Sequence, residues 1–310
     1  MPIPKAKLWG VILAGGDGTR LQPLTRFISG DSRPKQFCPI FGERSLLGQT
    51  RARLATLIAP QRTVFVLQDA HRSFYQSELA GVDPALVLSQ PANKGTGVAI
   101  AYAAAKIRAA DPQAMLAFFP ADHHYDDDAP FLAAVERASR IAAANERYLT
   151  LLGIEAYSPE VEYGWIEPDS ASSDFCRVGR FWEKPALERA RELLARRCLW
   201  NTFVMIGTAR AFAELIEEAA PQLSAMVRAI LREGGLARSR ARRIFAGIPS
   251  VDFSHHILAR ASEKLLVLPV RGVRWSDLGK PERVMETLAE SGIRPRWAAG
   301  FSALSRKATA

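Results

Sequence analysis

The sequence predicts an α/β fold: a Rossmann-like, mostly parallel mixed sheet flanked by helices, with a smaller lobe. Apolar runs with the character of buried strands alternate with helical patterns through the first half of the chain. After residue 160 the pattern becomes rich in Tyr, Trp, Phe and Val. The chain has 310 residues, of which 48% are hydrophobic, and this is enough to bury a sizeable core.

Strand-like and helical segments alternate in the first half. The strand-like runs lie at 8–14, 63–68, 85–88, 114–119 and 149–154. The helical patterns between them lie near 45–58, 70–80, 97–110 and 129–146. Because this alternation places crossover helices on both faces of a sheet, we expect a parallel sheet that is covered on both sides.

The second half has a different order of elements. Residues 161–183 are strand-like, and a strand at 265–270 with a helix over 281–291 should return to the sheet. Between them we interpret an inserted lobe that supplies another wall of a cleft. Its predicted elements are a charged helix at 186–197, a strand at 203–207, and helices near 209–219 and 221–233.

Composition and charge narrow the class of protein. No apolar run is long enough to span a bilayer, and the N-terminus lacks the apolar region of a signal peptide, so no membrane association is expected. Three widely spaced cysteines predict reduced thiols and a cytoplasmic location. Much of the net charge of +9 comes from arginines within 228–243. We interpret that segment as a solvated helix face or a local anionic contact, and expect no nucleic-acid partner.

A glycine-rich turn follows the first strand directly. Gly15, Gly16 and Gly18 lack a Cβ, so their backbone N–H groups can crowd against an anion such as a phosphate chain. Arg20 and Lys35 add positive charge beside them. The segment fits neither the Walker A motif nor the G-x-G-x-x-G spacing. On its own it predicts either a phosphate cradle or an ordinary tight turn.

Polar loops follow further strands at the edge where open parallel sheets bind ligands. These loops are 90–97, 120–124 and 275–279. Asp122 and Asp277 are candidate ligands of Mg²⁺, which prefers one or two carboxylates together with substrate phosphates and water. The alternative for each aspartate is a helix cap or a surface position.

Aromatic and polar residues between 163 and 201 suggest a wall for a carbohydrate. Glu183 and Asn201 offer polar groups to sugar hydroxyls, and Lys184 would bind a phosphate. Burial of the aromatic side chains in the core, and an ordinary surface pair of Glu183 with Lys184, are the alternatives.

Short motifs occur in a characteristic order along the chain. They are Leu13-Ala14-Gly15-Gly16 through Arg20, Pro34-Lys35-Gln36-Phe37, Gln90-Pro91, Asn93 to Thr96, Pro120 to His123, Tyr163-Gly164, Glu183-Lys184-Pro185, Trp200-Asn201 and Trp275-Ser276-Asp277. In this order they resemble the sugar-1-phosphate nucleotidylyltransferases over roughly residues 8–290. The motifs at 34–37, 93–96 and 275–277 favour the guanylyltransferase branch. The resemblance implies a nucleotide-diphospho-sugar transferase fold.

The resemblance also implies a reaction. GMP would pass from GTP to mannose-1-phosphate by Mg²⁺-assisted, in-line attack of the sugar phosphate on the α-phosphorus, giving GDP-mannose and pyrophosphate. GTP and mannose-1-phosphate would be the partners, and a homodimer is left open.

Carried over by motif, the resemblance assigns roles to individual residues. Arg20 and Lys35 would be catalytic, and Asp122 and Asp277 would hold Mg²⁺. The implied nucleotide-binding residues are Leu13, Gly15, Gly16, Gly18, Thr19, Gln90, Gly95 and Thr96. The implied sugar-phosphate-binding residues are Gly164, Glu183, Lys184 and Asn201.

The resemblance implies a single nucleotidyltransferase domain, with departures from the family pattern. Thr202-Phe203 replaces the usual small residue and glycine, so we expect a reshaped sugar pocket. The carboxy-terminal isomerase domain of many relatives is not in this sequence, so no isomerase activity is predicted. The expected division is a domain over 1–295, with a nucleotide-binding half at about 1–155, a sugar-binding lobe at about 156–262 and a return to the sheet at 263–295, followed by a flexible tail at 296–310.

Three other functions stay open from the sequence. The same reaction with UTP or dTTP and glucose-1-phosphate is the first, because backbone groups often make the base contacts. A nucleotide-sugar-dependent glycosyltransferase is the second, since Asp126-Asp127-Asp128 contains an Asp-x-Asp pattern. N-terminal capping of the following helix explains that run more simply. A non-enzymatic sensor is the third, and it would be expected to have lost Arg20, Lys35 or one of the two aspartates.

Overall fold

The computed structural model describes residues 8–170 and 174–301, and these residues form two sheets and their flanking helices. The strands are β1 (Leu8–Leu13), β2 (Thr63–Gln68), β3 (Val87–Gln90), β4 (Met115–Pro120), β5 (His124–Tyr125), β6 (Leu149–Glu155), β7 (Gly164–Pro168), β8 (Cys176–Glu183), β9 (Leu199–Thr208), β10 (Leu265–Val270) and β11 (Trp275–Ser276). The α-helices are α1 (Gln22–Ser29), α2 (Leu46–Leu54), α3 (Arg72–Tyr75), α4 (Thr96–Ala110), α5 (Asp128–Ala144), α6 (Leu187–Ala195), α7 (Ala209–Ala219), α8 (Pro221–Arg232), α9 (Ser239–Ala246), α10 (Phe253–His256) and α11 (Pro281–Ser291).

The main sheet has nine strands in the order β3-β2-β1-β4-β9-β6-β10-β8-β7. The pairings make seven of these strands run in one direction, while β8 and β9 run in the other. The predicted mostly parallel mixed sheet is therefore confirmed. The carboxyl ends of β1, β3 and β4 meet at one edge, where the loops that follow them can line a single cleft.

Both faces of the sheet are buried, because successive residues of a strand point to opposite sides. Val11 of β1 and Val64 of β2 pack into a cluster with residues of α4, α7 and α8. Ile12 and Phe65, their neighbours in the chain, pack into a second cluster with residues of α2 and α5. The helices thus cover the two faces as the alternating pattern predicts.

Strand β9 joins the two halves of the chain. Its second half pairs with β4, while its first residues pair with β7, where Trp200 lies opposite Trp165. Along β6 the register shifts between Leu151 and Gly153. Phe203 has a φ of 61°, so the strand departs from extended geometry at its middle. The strands that the sequence assigns to a separate lobe are therefore continuous with the main sheet through β9.

A second, two-stranded sheet connects distant parts of the sequence. In β5 and β11, Trp275 pairs with Tyr125 and Ser276 with His124, in antiparallel register. The indole Nε1 of Trp275 also donates a hydrogen bond to Nδ1 of His123, at 3.2 Å. This pairing carries the 275–279 segment to the loop that follows β4.

Several elements differ from the sequence prediction. The helix predicted over 70–80 is α-helical only over α3. After α3 the backbone forms turns, one of which is closed by a hydrogen bond from the N–H of Val82 to the carbonyl of Leu79. Strand β9 starts at Leu199 rather than 203, since its first residues pair with β6 and β7. The sequence predicts no helix at the positions of α1, α9 and α10.

The C-terminal segment is packed where the structure describes it. Residues 296–301 are helical. The indole Nε1 of Trp297 donates to the carbonyl of Ile40 at 3.0 Å, and the ring of Phe301 lies 5.4 Å from that of Phe27. These contacts belong to 296–301, the first part of the tail that the sequence predicts to be flexible, and residues 302–310 lie outside the described residues. In the described ranges, no helix is both long and apolar enough to cross a membrane.

Candidate active site

The glycine turn after β1 is held from behind by side-chain amides. Nε2 of Gln36 donates to the carbonyls of Ala14 and Gly16, at 3.0 and 2.7 Å, and Nε2 of Gln68 donates to the carbonyl of Gly15. Gln36 and Gln68 are both buried. Because the carbonyls are occupied in this way, the turn has a fixed shape.

The same turn leaves its donors unpaired. In residues 8–170 and 174–301 we find no hydrogen-bond acceptor for the backbone N–H groups of Gly15, Gly16 and Gly18. Gly18 has a φ of 59°, and a Cβ there would lie 3.0 Å from the backbone nitrogen of Lys35. The glycine therefore allows the turn to approach Lys35 closely, and free N–H groups beside a cation suit an anion.

Lys35 connects the two predicted aspartates. Its Nζ lies 3.1 Å from Oδ2 of Asp122, and it also donates to the main-chain carbonyl of Asp277. The β5–β11 pairing described above brings these segments together, although they are more than 150 positions apart in the sequence. The structure thus places both candidate metal ligands beside the lysine.

The carboxylate of Asp277 is held at one oxygen. Its Oδ1 accepts hydrogen bonds from Nη1 of Arg283 at 2.6 Å, from the backbone N–H of Gly279 at 2.9 Å and from the hydroxyl of Tyr163 at 3.1 Å. Burial alone would raise the pKa of Asp277, but the positive charges of Lys35 and Arg283 outweigh it and hold the pKa below its usual range. Asp277 is therefore ionised and aligned.

The loop between β3 and α4 is locked to the segment before α10. Gly95 has a φ of 83°, and a Cβ there would lie 2.4 Å from the carbonyl oxygen of Val251. The hydroxyl of Thr96 accepts the N–H of Phe253 at 2.8 Å. Nearby, the buried Nε2 of Gln90 has no acceptor in the described part of the chain. That unpaired donor is suited to a ligand acceptor.

The wall from the second half carries the predicted sugar-phosphate residues. Nζ of Lys184 lies 3.2 Å from Oε1 of Glu183, and Lys184 has a φ of 46°. Oδ1 of Asn201 accepts the backbone N–H of Phe203 at 3.1 Å, which holds the irregular part of β9. Gly164 leaves room for the carboxylate, since a Cβ would lie 3.1 Å from Oε2 of Glu183. Burial raises the pKa of Glu183, although Lys184 opposes that shift.

These walls enclose a cleft of about 440 Å³. Most of the residues predicted from the sequence line it, namely Leu13, Gly15, Gly16, Arg20, Gln90, Gly95, Thr96, Asp122, Gly164, Glu183, Lys184, Asn201 and Asp277. Gly18 and Lys35 lie directly behind that lining. Thr19 begins a 3₁₀ turn next to Gly18 and does not contribute to the lining.

Sequence reasoning missed several residues of the cleft and its support. Glu162, Asp252 and Ser254 line it, and Arg283 lies behind Asp277. Glu162 forms an ion pair with Arg20. The only sequence signal for Arg283 was a basic residue in the first turn of a helix, where the helix dipole favours acidic residues instead.

The charge of the lining bears on whether a metal ion fits. Two cationic side chains line the cleft, Arg20 and Lys184, and Lys35 adds a third cation behind Asp122. Five carboxylates line it as well, namely Asp122, Glu162, Glu183, Asp252 and Asp277. In the part of the chain that the structure describes, no three His, Cys, Asp or Glu side chains group to hold a metal by themselves. Two carboxylates that share their ion with phosphates and water are the set that Mg²⁺ prefers. The residues therefore fit Mg²⁺ bound together with a polyphosphate.

Fold and cleft together define an α/β protein with a polar cleft beyond the carboxyl ends of its parallel strands. The nucleotidyl transferase family profile matches residues 9–291, so the chain belongs to that family. The family predicted from the motif order is thereby confirmed.

Individual relatives are similar over most of this chain. Xanthan biosynthesis protein XanB of Xanthomonas campestris pv. campestris (strain B100) is 32% identical over 289 residues, which are 91% of this chain and 60% of that protein. A mannose-1-phosphate guanylyltransferase of Escherichia coli is 27% identical over 293 residues, 91% of this chain and 60% of that protein. The chain thus spans about 60% of the length of these curated relatives.

A solved structure shows the same architecture. The crystal structure of mannose-1-phosphate geranyltransferase from Thermus thermophilus matches with a TM-score of 0.78 and 27% identity, covering 90% of this chain and 79% of that one. The fold class predicted from alternating strands and helices is consistent with this likeness.

Proposed function

We propose that this chain transfers the GMP group of GTP to mannose-1-phosphate, releasing pyrophosphate and forming GDP-mannose. The observation that carries the proposal is that the unpaired N–H groups of Gly15 and Gly16 and the carboxylates of Asp122 and Asp277 line one cleft, with Lys35 in contact with both aspartates behind that lining. The names of the relatives from Escherichia coli and Thermus thermophilus support mannose-1-phosphate as a substrate, and the former supports the guanylyl group.

The nucleophile in this reaction needs no general base. The second pKa of a phosphate monoester is about 6, so mannose-1-phosphate is largely dianionic at neutral pH. One of its oxygens forms a bond to the α-phosphorus while the bond from that phosphorus to the bridging oxygen of pyrophosphate breaks. The residues of the cleft would bind and align the two substrates for this displacement.

The main barrier is repulsion between two polyanions. Two unit charges about 4 Å apart interact with about 4 kcal/mol at an effective dielectric constant near 20. In the proposal, Lys35 lies at the reacting phosphate, Lys184 holds the sugar phosphate, and Arg20 moves from Glu162 to the nucleotide phosphates. Mg²⁺, when held by Asp122 and Asp277 with the phosphates, supplies further neutralisation of charge.

The remaining predicted residues would determine which ligands bind. Gly15, Gly16, Gly18 and Thr19 would contribute to the phosphate cradle, and the unpaired amide of Gln90 supports a base contact. The other proposed contacts are Leu13, Gly95 and Thr96 for base and ribose, and Gly164, Glu183 and Asn201 for the sugar.

The three thiols of the chain support the proposed cytoplasmic location. Cys38, Cys176 and Cys198 are buried, and none of the three forms a disulfide. Burial raises the pKa of Cys198 to about 11, so that thiol stays protonated at neutral pH. Unpaired, protonated thiols are typical of a reducing compartment.

A matrix of four nucleoside triphosphates against three sugar-1-phosphates, scored by pyrophosphate release, tests the proposal. We expect GTP with mannose-1-phosphate to give the highest kcat/KM. The highest rate with UTP or dTTP and glucose-1-phosphate would keep the reaction class but overturn the substrates. Binding of GDP-mannose without turnover of any pair would contradict an enzymatic function.

A further inference from the structure

The geometry points to Arg283 as a positioning residue that fixes Asp277, so that one carboxylate oxygen of this aspartate is reserved for the ligand. This inference rests on the proposed function, in which Asp277 holds Mg²⁺ with the nucleotide. Arg283 touches neither substrate in that scheme. It would act through the aspartate, and nothing in the motif order of the sequence assigns it a role.

Arg283 is buried at the start of α11 with only 7% of its surface exposed. Its Nη1 donates to Oδ1 of Asp277 at 2.6 Å, and its Nη2 donates to Oε2 of Glu160 at 2.5 Å. Its guanidinium carbon lies 4.6 Å from the centre of the Tyr163 ring. One planar group thus ties the aspartate to the loop before β7.

The two carboxylate oxygens of Asp277 differ in their hydrogen-bond partners. Oδ1 accepts three donors, from Arg283, Gly279 and Tyr163. Oδ2 has no protein donor among residues 8–170 and 174–301, and Asp277 lines the cleft. Because a carboxylate oxygen with three donors has little capacity left, Oδ2 is the oxygen available to a cation. Asp277 is therefore prepared as a monodentate ligand.

The planar fork of an arginine is required for this arrangement. The two nitrogens of Arg283 reach carboxylates on different segments, and a lysine ammonium cannot hold both in that fixed geometry. Nη2 also lies 3.5 Å from Oε2 of Glu162, whose other oxygen pairs with Arg20. Arg283 is thus linked through Glu162 to the arginine that is proposed to bind the nucleotide phosphates.

The test compares GTP affinity with Mg²⁺ and with EDTA in the full chain, in parent, Arg283→Lys and Arg283→Gln. The ratio of interest is the dissociation constant of GTP in EDTA divided by that in Mg²⁺. We expect this ratio to fall about tenfold or more in both variants, because partners of a metal ligand typically change metal affinity by about 10–100-fold. The affinity measured in EDTA should change much less. A merely structural role would lower both affinities together and leave the ratio unchanged.

Arg53→Gln is the matched control. Arg53 is also a buried arginine, 8% exposed, which pairs with Asp128 and lies over the rings of Tyr125 and Phe131. It lies outside the cleft lining. We expect this variant to lose comparable stability in urea while it keeps the parent's ratio. An equal fall of the ratio in Arg53→Gln would overturn the inference.

Tyr163→Phe keeps the inference testable if the Arg283 variants do not fold. It removes one of the three donors to Oδ1 and leaves the buried cation in place. We expect a fall of the ratio of about two- to fivefold, as for the loss of one hydrogen bond, and an unchanged ratio overturns the inference. Recovery of the parent's ratio by Arg283→Lys would also overturn it, since charge alone would then suffice. Pyrophosphate release by the parent is scored separately, so a failure of the proposed function is distinguishable from a failure of this inference.

Discussion

Lys35 is the side chain on which the proposed chemistry depends most directly. Its ammonium group contacts the carboxylate of Asp122 and the main chain of Asp277, and its side chain is only 12% exposed. A cation in this position compensates an acidic lining before any substrate arrives. In the proposed reaction it would also lie where the charges of the two phosphates meet.

Replacing Lys35 by alanine should lower kcat by more than tenfold. The reason is that the substitution removes a positive charge beside the reacting phosphates, and a tenfold loss corresponds to only about 1.4 kcal/mol of transition-state stabilisation. Steady-state pyrophosphate release measures kcat, and circular dichroism with urea unfolding verifies that the fold is intact.

Lys106→Ala is the control for the Lys35 variant. Lys106 lies on α4, outside the cleft lining, and its Nζ donates to the carbonyl of Ala85 at 3.4 Å. Its removal should leave kcat within about twofold of the parent, as expected for a substitution away from the site. A Lys35→Ala enzyme with the parent's kcat would remove this lysine from the mechanism.

Residue types next to strand ends were predictable, but their partners were not. Asp122, Asp277 and Lys35 follow recognisable strand or turn patterns, so the sequence indicated their place in the cleft. Arg283 and Glu162 are 121 positions apart, and their contact depends on how β7 and α11 are placed by the sheet. No local pattern encodes a contact of that kind.

At the level of elements, the β3–α4 loop depends on one close approach. Gly95 has a φ of 83°, and a Cβ added there would lie 2.4 Å from the carbonyl oxygen of Val251. Gly97 donates to the same carbonyl at 2.8 Å, so that carbonyl cannot move away without losing a hydrogen bond. The loop and the segment before α10 are consequently a single unit.

Gly95→Ala should therefore destabilise the protein by at least about 2 kcal/mol, from left-handed backbone strain together with the backbone clash. GTP affinity should also fall by more than tenfold, since Thr96 and Gln90 lie on the same loop and strand end. Urea unfolding and GTP titration measure the two effects.

Gly42→Ala is the matched substitution for Gly95→Ala. A Cβ at Gly42 meets no atom within 4 Å, and the residue lies outside the cleft lining. Its free energy of unfolding should stay within about 0.5 kcal/mol of the parent, as for an ordinary surface substitution. Equal stability of the two alanine variants would contradict the close approach at Val251.

The sequence was informative about long buried elements and poor for short ones. β1, β2 and β4 are six-residue buried strands whose apolar runs are visible without a structure. β5 and β11 are only two residues long, which is too short to show the alternation of apolar and polar residues that predicts a strand. Yet it is their pairing that brings Asp122 and Asp277 to the same lysine.

At the scale of the whole molecule, β9 makes one sheet supply both walls of the cleft. Asn201, before the irregular point of β9, lies opposite Gly153 of β6, while Met205 and Ile206, after it, pair with both β6 and β4, whose end leads to Asp122. The positive φ of Phe203 separates these two parts. Strand β6 pairs with β9 on both sides of this irregular point, so the two parts of β9 stay in one continuous sheet.

The cleft lining and the whole chain carry net charges of opposite sign. The cleft lining is rich in carboxylates, whereas the whole chain carries +9. Screening reaches about 10 Å at 0.1 M salt, so the field of the outer arginines acts over long distances only at low ionic strength. Contacts inside the cleft are shorter than that and are much less affected.

Raising KCl from about 0.02 to about 0.3 M should therefore lower kcat/KM for GTP by about three- to tenfold, while kcat changes by less than about twofold. Steady-state kinetics at constant free Mg²⁺ measures both constants, and sucrose at matched viscosity is the control for slower diffusion. A variant with Arg238, Arg240 and Arg243 replaced by glutamine should show a weaker dependence, because it removes charge from the surface helix α9 without touching the cleft lining. A kcat/KM that is independent of salt in the parent would mean that the positive field of the chain does not guide the nucleotide to its site.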